Sequence, residues 1–185
     1  MQEFDLSLPE IYVQPGESRL VRQPAILRTV LGSCVGITFL VPRLGVGALC
    51  HPMLPLFPAK ESSTLSVMAS RRYVDFAIHD MIRQLDSLGA LRMETQVKLF
   101  GGGDVLPMID GERHATVGKQ NCDVAQRVLD EEGFVIIACR LRGDTGVRIE
   151  FNTGSGEVLL RKLTSSMARA GAKPVRKVYR SRKNA

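Results

Sequence analysis

Residues 29–55 read TVLGSCVGITFLVPRLGVGALCHPMLP, and this stretch decides how the neighbouring chain folds. Two apolar runs rich in β-branched residues, 35–41 and 46–50, flank the tetrapeptide PRLG at 42–45. Proline and glycine between two strand-like runs mark a turn. The pattern therefore predicts an antiparallel β-hairpin built from the two runs.

A cysteine and a histidine flank the predicted hairpin, Cys34 just before its first strand and His51 just after its second. If the turn is centred between Pro42 and Arg43, the two residues lie directly opposite each other. If it is centred one residue later, they are diagonal neighbours on the same face. Opposed Cβ atoms are about 4.5–5.5 Å apart and diagonal ones about 7–8 Å. Either register brings a thiol and an imidazole within reach of each other.

A thiol beside an imidazole is a candidate nucleophilic site. The thiol is a weak nucleophile until it loses its proton, and a neighbouring histidine can lower the pKa of the thiol and accept that proton. The competing interpretation is structural, because free cysteines are often buried and inert. Two features favour the nucleophilic site. Gly32 and Gly36 flank Cys34 and permit close approach of another backbone, and His51 leaves a strand end, where functional residues are common.

The composition is ordinary for a soluble globular domain: of 185 residues, 44% are hydrophobic and 24% are charged. No apolar run reaches the roughly 18–20 residues that span a bilayer. The acidic N-terminus MQEFD lacks the pattern of a signal peptide. A cytoplasmic location without membrane insertion is therefore expected.

The cysteines are spread along the chain, at positions 34, 50, 122 and 139, without CxxC spacing. Neither a zinc site nor a thioredoxin-like motif is predicted, and no metal or organic cofactor is suggested. The surroundings of Cys50, Cys122 and Cys139 are apolar, which predicts that these three thiols lie in the core. The triple glycine at 101–103 lacks the order of a phosphate-binding loop, so close packing against the hairpin is expected instead.

The net charge of +6 is concentrated at the C-terminus. Residues 164–185 contain seven Lys or Arg and no acidic residue, which leaves 18 basic and 19 acidic residues in 1–163. The charge pattern predicts a near-neutral domain over 1–163 and a basic, flexible tail over 164–185. Nucleic acid is therefore not the expected partner, and any binding through the tail would weaken steeply as salt rises.

Hydrophobic periodicity predicts two main helices, at 71–88 and 116–132, each followed by a glycine. Further strands are expected around 11–13, over 20–29 with an interruption at Pro24 and with 26–30 leading into Cys34, and at 95–100, 134–140, 146–152 and 157–163; a long loop is expected over 54–70. Both helices need a sheet against which to bury their apolar faces. The predicted fold class is α+β, a layered α/β sandwich with mostly antiparallel strands packed against two main helices.

Four segments in order resemble the CheD family of chemoreceptor glutamine deamidases, over roughly residues 8–163. They are LGSCV at 31–35, GALCHPMLP at 47–55, KLFGG at 98–102 and VGKQN at 117–121. The resemblance implies a layered α/β sandwich like the catalytic domain of the cytotoxic necrotizing factor toxins. It also implies hydrolysis of glutamine side-chain amides to glutamate on the helical cytoplasmic region of chemoreceptors.

The resemblance also implies residue roles. Cys34 takes the place of the nucleophile, and His51 that of the general base and acid. The family's site includes a threonine shortly before the cysteine, and Thr29 lies five residues before Cys34. Thr38 is the alternative, because it lies an even number of residues from Cys34. The oxyanion of the reaction needs donors, and the backbone N–H groups around Gly32–Cys34, with Gly32 and Ser33 foremost, are the candidates on chemical grounds.

Partners and alternatives follow from the same family. Members commonly bind a CheC-type phosphatase through the surface that meets receptors, so this phosphatase is a candidate partner beside the chemoreceptor helices. The family's basic pair after the second helix is incomplete here, because RGDTGVR at 142–148 has Val147 at one of the two positions. This departure concerns partner or substrate contacts rather than hydrolysis. The alternative function is a non-catalytic chemotaxis adaptor that binds receptors or the phosphatase.

Overall fold

The computed structural model describes residues 8–58, 66–105, 116–163 and 176–179. Within these ranges the chain forms β-strands, α-helices and short 3₁₀ turns. The strands are β1 (Glu10–Tyr12), β2 (Ser18–Val21), β3 (Ile26–Leu31), β4 (Val35–Val41), β5 (Val46–Cys50), β6 (Gln96–Gly101), β7 (Ile136–Leu141), β8 (Val147–Asn152), β9 (Val158–Lys162) and β10 (Arg176–Tyr179). The α-helices are α1 (Val67–Ser70), α2 (Val74–Ser87) and α3 (Val117–Glu131).

The strands form two five-stranded sheets. The first sheet has the order β1-β3-β8-β9-β10 and the second the order β2-β5-β4-β6-β7. The β1–β3 and β6–β7 pairs are parallel, and the other neighbouring strands run antiparallel. Helices α2 and α3 cover the face of the second sheet that is turned away from the first. The layers run sheet, sheet, helices, which confirms the predicted α+β class with mostly antiparallel strands.

Two apolar layers hold this stack together. One lies between the second sheet and the helices and includes Phe39 and Met81. The other lies between the two sheets and includes Leu49 and Phe151. Because successive residues of a strand point to opposite faces, the central strands contribute side chains to both layers. Every residue of β4 and of β5 is buried for this reason.

The predicted hairpin is confirmed by β4 and β5, whose limits match the two apolar runs. Val41 pairs with Val46, so the turn is centred one residue later than the first of the two registers considered. A 3₁₀ turn, Pro42–Leu44, fills the connection. This register makes Cys34 and His51 diagonal neighbours on one face of the hairpin rather than directly opposed.

The two predicted helices are confirmed by α2 and α3. Thr116 caps α3, because its side chain accepts a hydrogen bond from the backbone N–H of Lys119. In the described ranges no helix is long and apolar enough to cross a membrane. Within the predicted loop at 54–70, residues 67–70 form the short helix α1, capped by Ser66, and residues 59–65 lie outside the described residues.

The glycine-rich segment after β6 packs against the hairpin, as predicted. Gly101 and Gly102 have φ angles of 94° and 64°, in the left-handed region that favours glycine. A Cβ atom on Gly101 would lie 2.4 Å from the carbonyl oxygen of Cys34. Glycine is therefore needed here both for the backbone angle and for the close approach to residue 34.

The prediction that three thiols lie in the core is correct for Cys50 and Cys122 but wrong for Cys139, which is exposed. Cys139 lies on β7, an edge strand of the second sheet. Ile137 on the same strand is also 40% exposed. An apolar run does not distinguish an edge strand from a central one, because the number of sheet neighbours is set by the fold.

Part of the predicted basic tail is a strand in the structure. β10 pairs antiparallel with β9 at the edge of the first sheet, and the ring of Tyr179 packs edge-on against Phe100, with centroids 5.3 Å apart. Lys98 Nζ donates a hydrogen bond to the carbonyl of Tyr179 at 2.9 Å. The other tail positions, 164–175 and 180–185, lie outside the described residues, and the domain boundary at 163 stays a prediction.

Candidate active site

The three residues implied by the resemblance come from neighbouring segments at one end of the layer between the sheets. Thr29 lies on β3 in the first sheet, Cys34 lies in the connection from β3 to β4, and His51 directly follows β5 in the second sheet. Thr29 and His51 are fully buried. Cys34 is half-buried and packs against the apolar layer between the sheets. The fold therefore brings all three into one region.

The hairpin register continues past the ends of its strands. The backbone N–H of Val35 donates to the carbonyl of Pro52 at 3.3 Å. Alternate residues of a strand share a face. Gly36, two residues after Cys34, therefore shows where the Cys34 face of the hairpin points. A Cβ atom on Gly36 would lie 2.8 Å from the side chain of Leu31 in the first sheet. The thiol and the imidazole therefore share the face that is turned to the first sheet.

A chain of two hydrogen bonds, from the ring to Thr29 and from Thr29 to Val13, fixes the imidazole. Thr29 Oγ1 lies 2.7 Å from His51 Nδ1, and the same hydroxyl donates to the carbonyl of Val13 at 2.8 Å. A hydroxyl has one proton, and a carbonyl can only accept. Thr29 Oγ1 must then accept from His51, so Nδ1 carries the ring proton and Nε2 keeps its lone pair. Val13 O also lies 3.4 Å from Nδ1, which suits a protonated nitrogen.

His51 Nε2 is the free basic atom of the ring. It is buried and has no hydrogen-bond partner among the residues that the structure describes. The Cys34 thiol is therefore not hydrogen-bonded to Nε2 in this structure. Catalytic hydrogen bonds are often long or poorly aligned in free enzymes and tighten in the complex with substrate. The arrangement leaves a base with its lone pair available on the hairpin face that carries the thiol.

Burial sets the protonation of both groups. Burial raises the pKa of the Cys34 thiol above its ordinary value, and the backbone N–H of Cys34 itself partly opposes this change. Burial also lowers the pKa of His51, partly opposed by the Val13 carbonyl. Both shifts favour a neutral thiol and a neutral imidazole at neutral pH. The resting site is therefore not a preformed thiolate–imidazolium pair.

Residues 32–34 connect β3 to β4 and are called the nucleophile connection here, after the role implied for Cys34. Three successive carbonyl groups anchor this connection. The donors to the carbonyls of residues 32, 33 and 34 are, in order, Gly103 N–H at 2.8 Å, Asn121 Nδ2 at 2.9 Å and Gly102 N–H at 2.7 Å. The described peptides are trans, and in a trans peptide the N–H points opposite to the C=O. The N–H groups of Ser33 and Cys34 therefore point away from these anchors.

This geometry bears on the oxyanion candidates. The N–H of Ser33 shares a peptide with the anchored carbonyl of Gly32, and the N–H of Cys34 shares one with the anchored carbonyl of Ser33. These two anchors therefore set the directions of the two N–H groups. The N–H of Cys34 is close enough to its own thiol to lower the pKa of that group. The N–H of Gly32 is not directed by these anchors, and its role stays a prediction.

Thr38, the alternative threonine, has its hydrogen-bond partner on β6 rather than on His51. It is buried on β4, and its hydroxyl lies 3.5 Å from the carbonyl of Lys98 on β6. Parity places it on the same face as Cys34, but four residues farther along the strand. Of the two threonines, Thr29 is the one beside the imidazole.

Two groups at the site were not found by the sequence analysis. The first is the carbonyl of Val13, a backbone group that leaves no signal in the sequence. The second is Asn121 on α3, which is fully buried and donates to the carbonyls of Ser33 and Met53, both at 2.9 Å. The VGKQN segment drew attention to Asn121 only through the resemblance, because no local pattern links the helix to the hairpin.

A charged cluster holds the glycine-rich segment from its other side. Asp104 accepts hydrogen bonds from Arg142 and Thr116, both at 2.5 Å. The backbone N–H of Asp104 donates to the carbonyl of Gly143 at 2.7 Å. These bonds fix the residue that follows Gly103, and so they hold one anchor of the nucleophile connection in place.

In the part of the chain that the structure describes, no group of three His, Cys, Asp or Glu side chains is placed to hold a metal ion.

Comparison with known proteins places this chain in a family. The family described as CheD chemotactic sensory transduction matches residues 53–162, more than half of the chain. The matched region begins after His51. It therefore supports the family, and it carries no information on Thr29, Cys34 or His51.

Curated relatives match most of the chain. A protein of Geobacter sulfurreducens named probable chemoreceptor glutamine deamidase CheD 2 is 37% identical over 161 residues, covering 87% of this chain and 94% of the relative. One from Pseudomonas savastanoi, named probable chemoreceptor glutamine deamidase CheD, is 36% identical over 158 residues, covering 84% and 86%. A third with that name, from Maridesulfovibrio salexigens, is 30% identical over 169 residues, covering 90% and 99%. The chain therefore belongs to the CheD family of chemotactic sensory transduction.

Proposed function

We propose that this chain is a protein-glutamine deamidase that converts specific glutamine side chains of chemoreceptors, the methyl-accepting chemotaxis proteins, to glutamate. The names of its relatives support the reaction and the substrate class. One observation carries the proposal: the 2.7 Å hydrogen bond that His51 Nδ1 donates to Thr29 Oγ1 holds a buried His51 with Nε2 free, on the hairpin face that also carries Cys34. A histidine held in one tautomer with a free nitrogen is suited to act as a general base.

The first half-reaction forms a thioester. His51 Nε2 takes the proton of the Cys34 thiol as the sulfur forms a bond to the amide carbon of the glutamine. The electron pair of the carbonyl moves to oxygen, which gives a tetrahedral oxyanion. The carbon–nitrogen bond then breaks, and the imidazolium gives its proton to the leaving nitrogen. Ammonia leaves, and the glutamyl group stays on Cys34.

The second half-reaction hydrolyses this thioester. His51 Nε2 takes a proton from a water molecule as the water oxygen attacks the thioester carbon. The carbon–sulfur bond breaks, and the imidazolium returns the proton to the sulfur. The products are a glutamate side chain and the original thiol. The cycle consumes one water, releases one ammonia and needs no cofactor.

Thr29 and Val13 act on the histidine rather than on the substrate. The Nδ1 proton bonds to Thr29 Oγ1, and that hydroxyl bonds on to the Val13 carbonyl, so the ring keeps one tautomer and one orientation. The two oxygens also face the positive charge that His51 gains in each half-reaction. A hydroxyl and a carbonyl stabilise that charge less than a carboxylate would, so His51 stays neutral in the resting enzyme.

The oxyanion is assigned to backbone N–H groups of the nucleophile connection. Ser33 and Cys34 are supported by the direction of their peptides, and Gly32 is kept as the third candidate. Removing one donor of this kind typically lowers kcat about 10²–10³-fold. Because the donors are backbone groups, their position depends on the anchors of residues 32–34.

The proposed substrate is the helical cytoplasmic part of the chemoreceptors, and a CheC-type phosphatase is the proposed regulatory partner. Both imply a cytoplasmic enzyme. The proposed organisation is a catalytic domain over 1–163 followed by the basic segment 164–185, of which β10 returns to the edge of the first sheet.

The test is the mass of a receptor cytoplasmic fragment after incubation with the protein in ordinary water and in water enriched in ¹⁸O. Replacing NH₂ by OH through a thioester adds about 1 Da per glutamine in ordinary water and about 3 Da in labelled water. Peptide mapping locates the modified glutamines. Cys34→Ala and His51→Ala are expected to give no shift. Cys139→Ala, which removes an exposed thiol elsewhere, is the matched control and should keep the full shift.

Two outcomes would change this proposal. A mass shift that persists in Cys34→Ala would exclude the thiol mechanism. A wild-type protein that binds the fragment without changing its mass would favour the alternative, a non-catalytic chemotaxis adaptor.

A further inference from the structure

We propose that Asn121 is a positioning residue: its amide holds the Ser33–Cys34 peptide in the orientation that directs the Cys34 N–H toward the thiol and the developing oxyanion. The oxyanion part of this inference rests on the proposed function, whereas the effect on the thiol does not. Asn121 lies on α3, outside the hairpin that carries the site. None of the catalytic steps described above uses its side chain.

The Asn121 amide joins the two segments that carry the reacting groups. Its Nδ2 donates at 2.9 Å to the carbonyl of Ser33, next to Cys34, and at 2.9 Å to the carbonyl of Met53, two residues after His51. The side chain is fully buried. One NH₂ group on a helix therefore ties the nucleophile connection to the segment that follows the base.

The chemistry of the two partners requires this amide. Both are carbonyl oxygens, which only accept, so the group between them must donate in two directions, as an NH₂ does. Aspartate would present oxygens, and leucine, with a similar shape, would present no donor. The Asn121 Oδ1 is buried and has no hydrogen-bond partner among the described residues. A buried unpaired oxygen costs free energy, so packing alone would favour leucine at this position.

The Ser33–Cys34 peptide is the part of the connection that depends on a side chain. The carbonyls on either side of Ser33 are anchored by backbone N–H groups of Gly103 and Gly102. If the Ser33 carbonyl turned away from Asn121, the N–H of Cys34 would turn with it, because the peptide is planar and trans. That N–H lowers the pKa of the Cys34 thiol. Losing the Asn121 bond is therefore expected to make the thiol less acidic.

The test measures the acidity of the Cys34 thiol separately from the rate of deamidation. Alkylation of Cys34 by iodoacetamide is followed from about pH 7 to pH 10 through the mass of the Cys34 peptide, for wild type, Asn121→Leu and Asn121→Ala. Leucine keeps the volume, and alanine covers the case in which leucine is not accommodated. At about pH 8, alkylation is expected to slow about 3–10-fold in both variants. For deamidation, kcat is expected to fall about 10–100-fold while KM stays within about twofold.

Asn152→Ala is the matched control. Asn152 is also a buried amide, and its Oδ1 accepts from the N–H groups of Gly154 and Ser155 in the turn between β8 and β9. This variant should lower the melting temperature and leave Cys34 alkylation and kcat unchanged. If the Asn121 variants behave in the same way, with alkylation and kcat within about twofold of wild type, the proposal is wrong. If the wild type does not deamidate, the proposed function fails, but the alkylation profiles still decide the role of Asn121.

Discussion

The two faces of the second sheet differ in the kind of side chain that they bury. Toward the helices, the central strands present apolar groups such as Ile37 and Leu99. Toward the first sheet, the same strands and their ends bury Thr38, His51 and Lys98 among apolar residues. The polar groups therefore lie between the sheets. The second sheet therefore presents an apolar face to the helices, whereas its other face combines packing with the polar groups of the proposed active site.

The two cysteines of the hairpin show this difference most directly. Cys50 faces the helices, with its sulfur 3.9 Å from the carbonyl of Ala77, and burial raises its pKa to about 12. Cys34 faces the first sheet, is half-buried, and shares its face with the free nitrogen of His51. Strand parity, which assigns each residue to one face, thus separates an inert thiol from a candidate nucleophile.

The largest expected effect is the difference between two variants in which each of these cysteines is replaced by alanine separately. Cys34→Ala is expected to lower the rate of deamidation by about 10³-fold or more, because the nucleophile is lost. Cys50→Ala should keep kcat within about threefold and lower the free energy of unfolding by about 1 kcal/mol, because it leaves a small cavity. Ammonia release and urea unfolding measure the two quantities. Activity lost in Cys50→Ala but kept in Cys34→Ala would reverse the comparison.

The next effect compares the two buried threonines of the layer between the sheets. Thr29→Val removes the hydroxyl that fixes His51, and it is expected to lower kcat about 10–100-fold, because the ring loses its orientation. Thr29→Ser keeps the hydroxyl and should stay within about threefold of wild type. Thr38→Val is the control on the same layer and should leave kcat unchanged. Equal kcat values for Thr29→Val and Thr38→Val would remove Thr29 from the site.

A smaller effect concerns the pH dependence of the two reacting groups. Burial lowers the pKa of His51, so the acidic decline of kcat/KM should lie at lower pH than the titration of a free imidazole, whose pKa is about 6.5. Burial raises the pKa of the Cys34 thiol, so its alkylation should lag behind that of a free thiol such as glutathione and increase in the alkaline range. Rapid alkylation of Cys34 at neutral pH would instead indicate a preformed thiolate–imidazolium pair.

The smallest expected effect concerns stability. Lys98 is buried, and burial lowers its pKa from 10.5 to about 8. Below that pH both the folded and the unfolded chain carry the proton. Between about pH 8 and pH 10.5 the unfolded chain binds a proton that the folded chain lacks, so the free energy of unfolding should rise with pH. Urea unfolding of wild type and Lys98→Met across this window measures the difference, and parallel curves would contradict the assignment.

Local pattern predicted the elements because their signals are short-ranged. The limits of β4 and β5 follow from two apolar runs around proline and glycine, and α2 and α3 follow from helical periodicity. The facing of Cys34 and His51 also followed from parity alone. The choice between the two registers did not, because the 3₁₀ turn at Pro42–Leu44 shifts the centre by one residue.

The parts that could not be predicted depend on contacts between distant segments. Asn121 reaches the nucleophile connection over a separation of 88 residues. The Val13 carbonyl reaches the site because β1 pairs in parallel with β3. Cys139 is exposed because β7 has a neighbour on one side, and β10 joins the first sheet although its segment looks like a solvated tail. Hydrogen-bond partners and sheet edges of this kind have no local pattern.

The sequence by itself indicated the candidate reacting residues and determined which face of the hairpin they share, because side-chain chemistry and strand parity are local properties. It also determined the family, because the motifs occur in order along the chain. Only the tertiary structure decided the state of the site. Burial between two sheets keeps Cys34 and His51 neutral, Thr29 and Val13 select the tautomer, and a helix amide anchors the nucleophile connection. These properties arise from desolvation and from hydrogen bonds that exist only when the layers are packed.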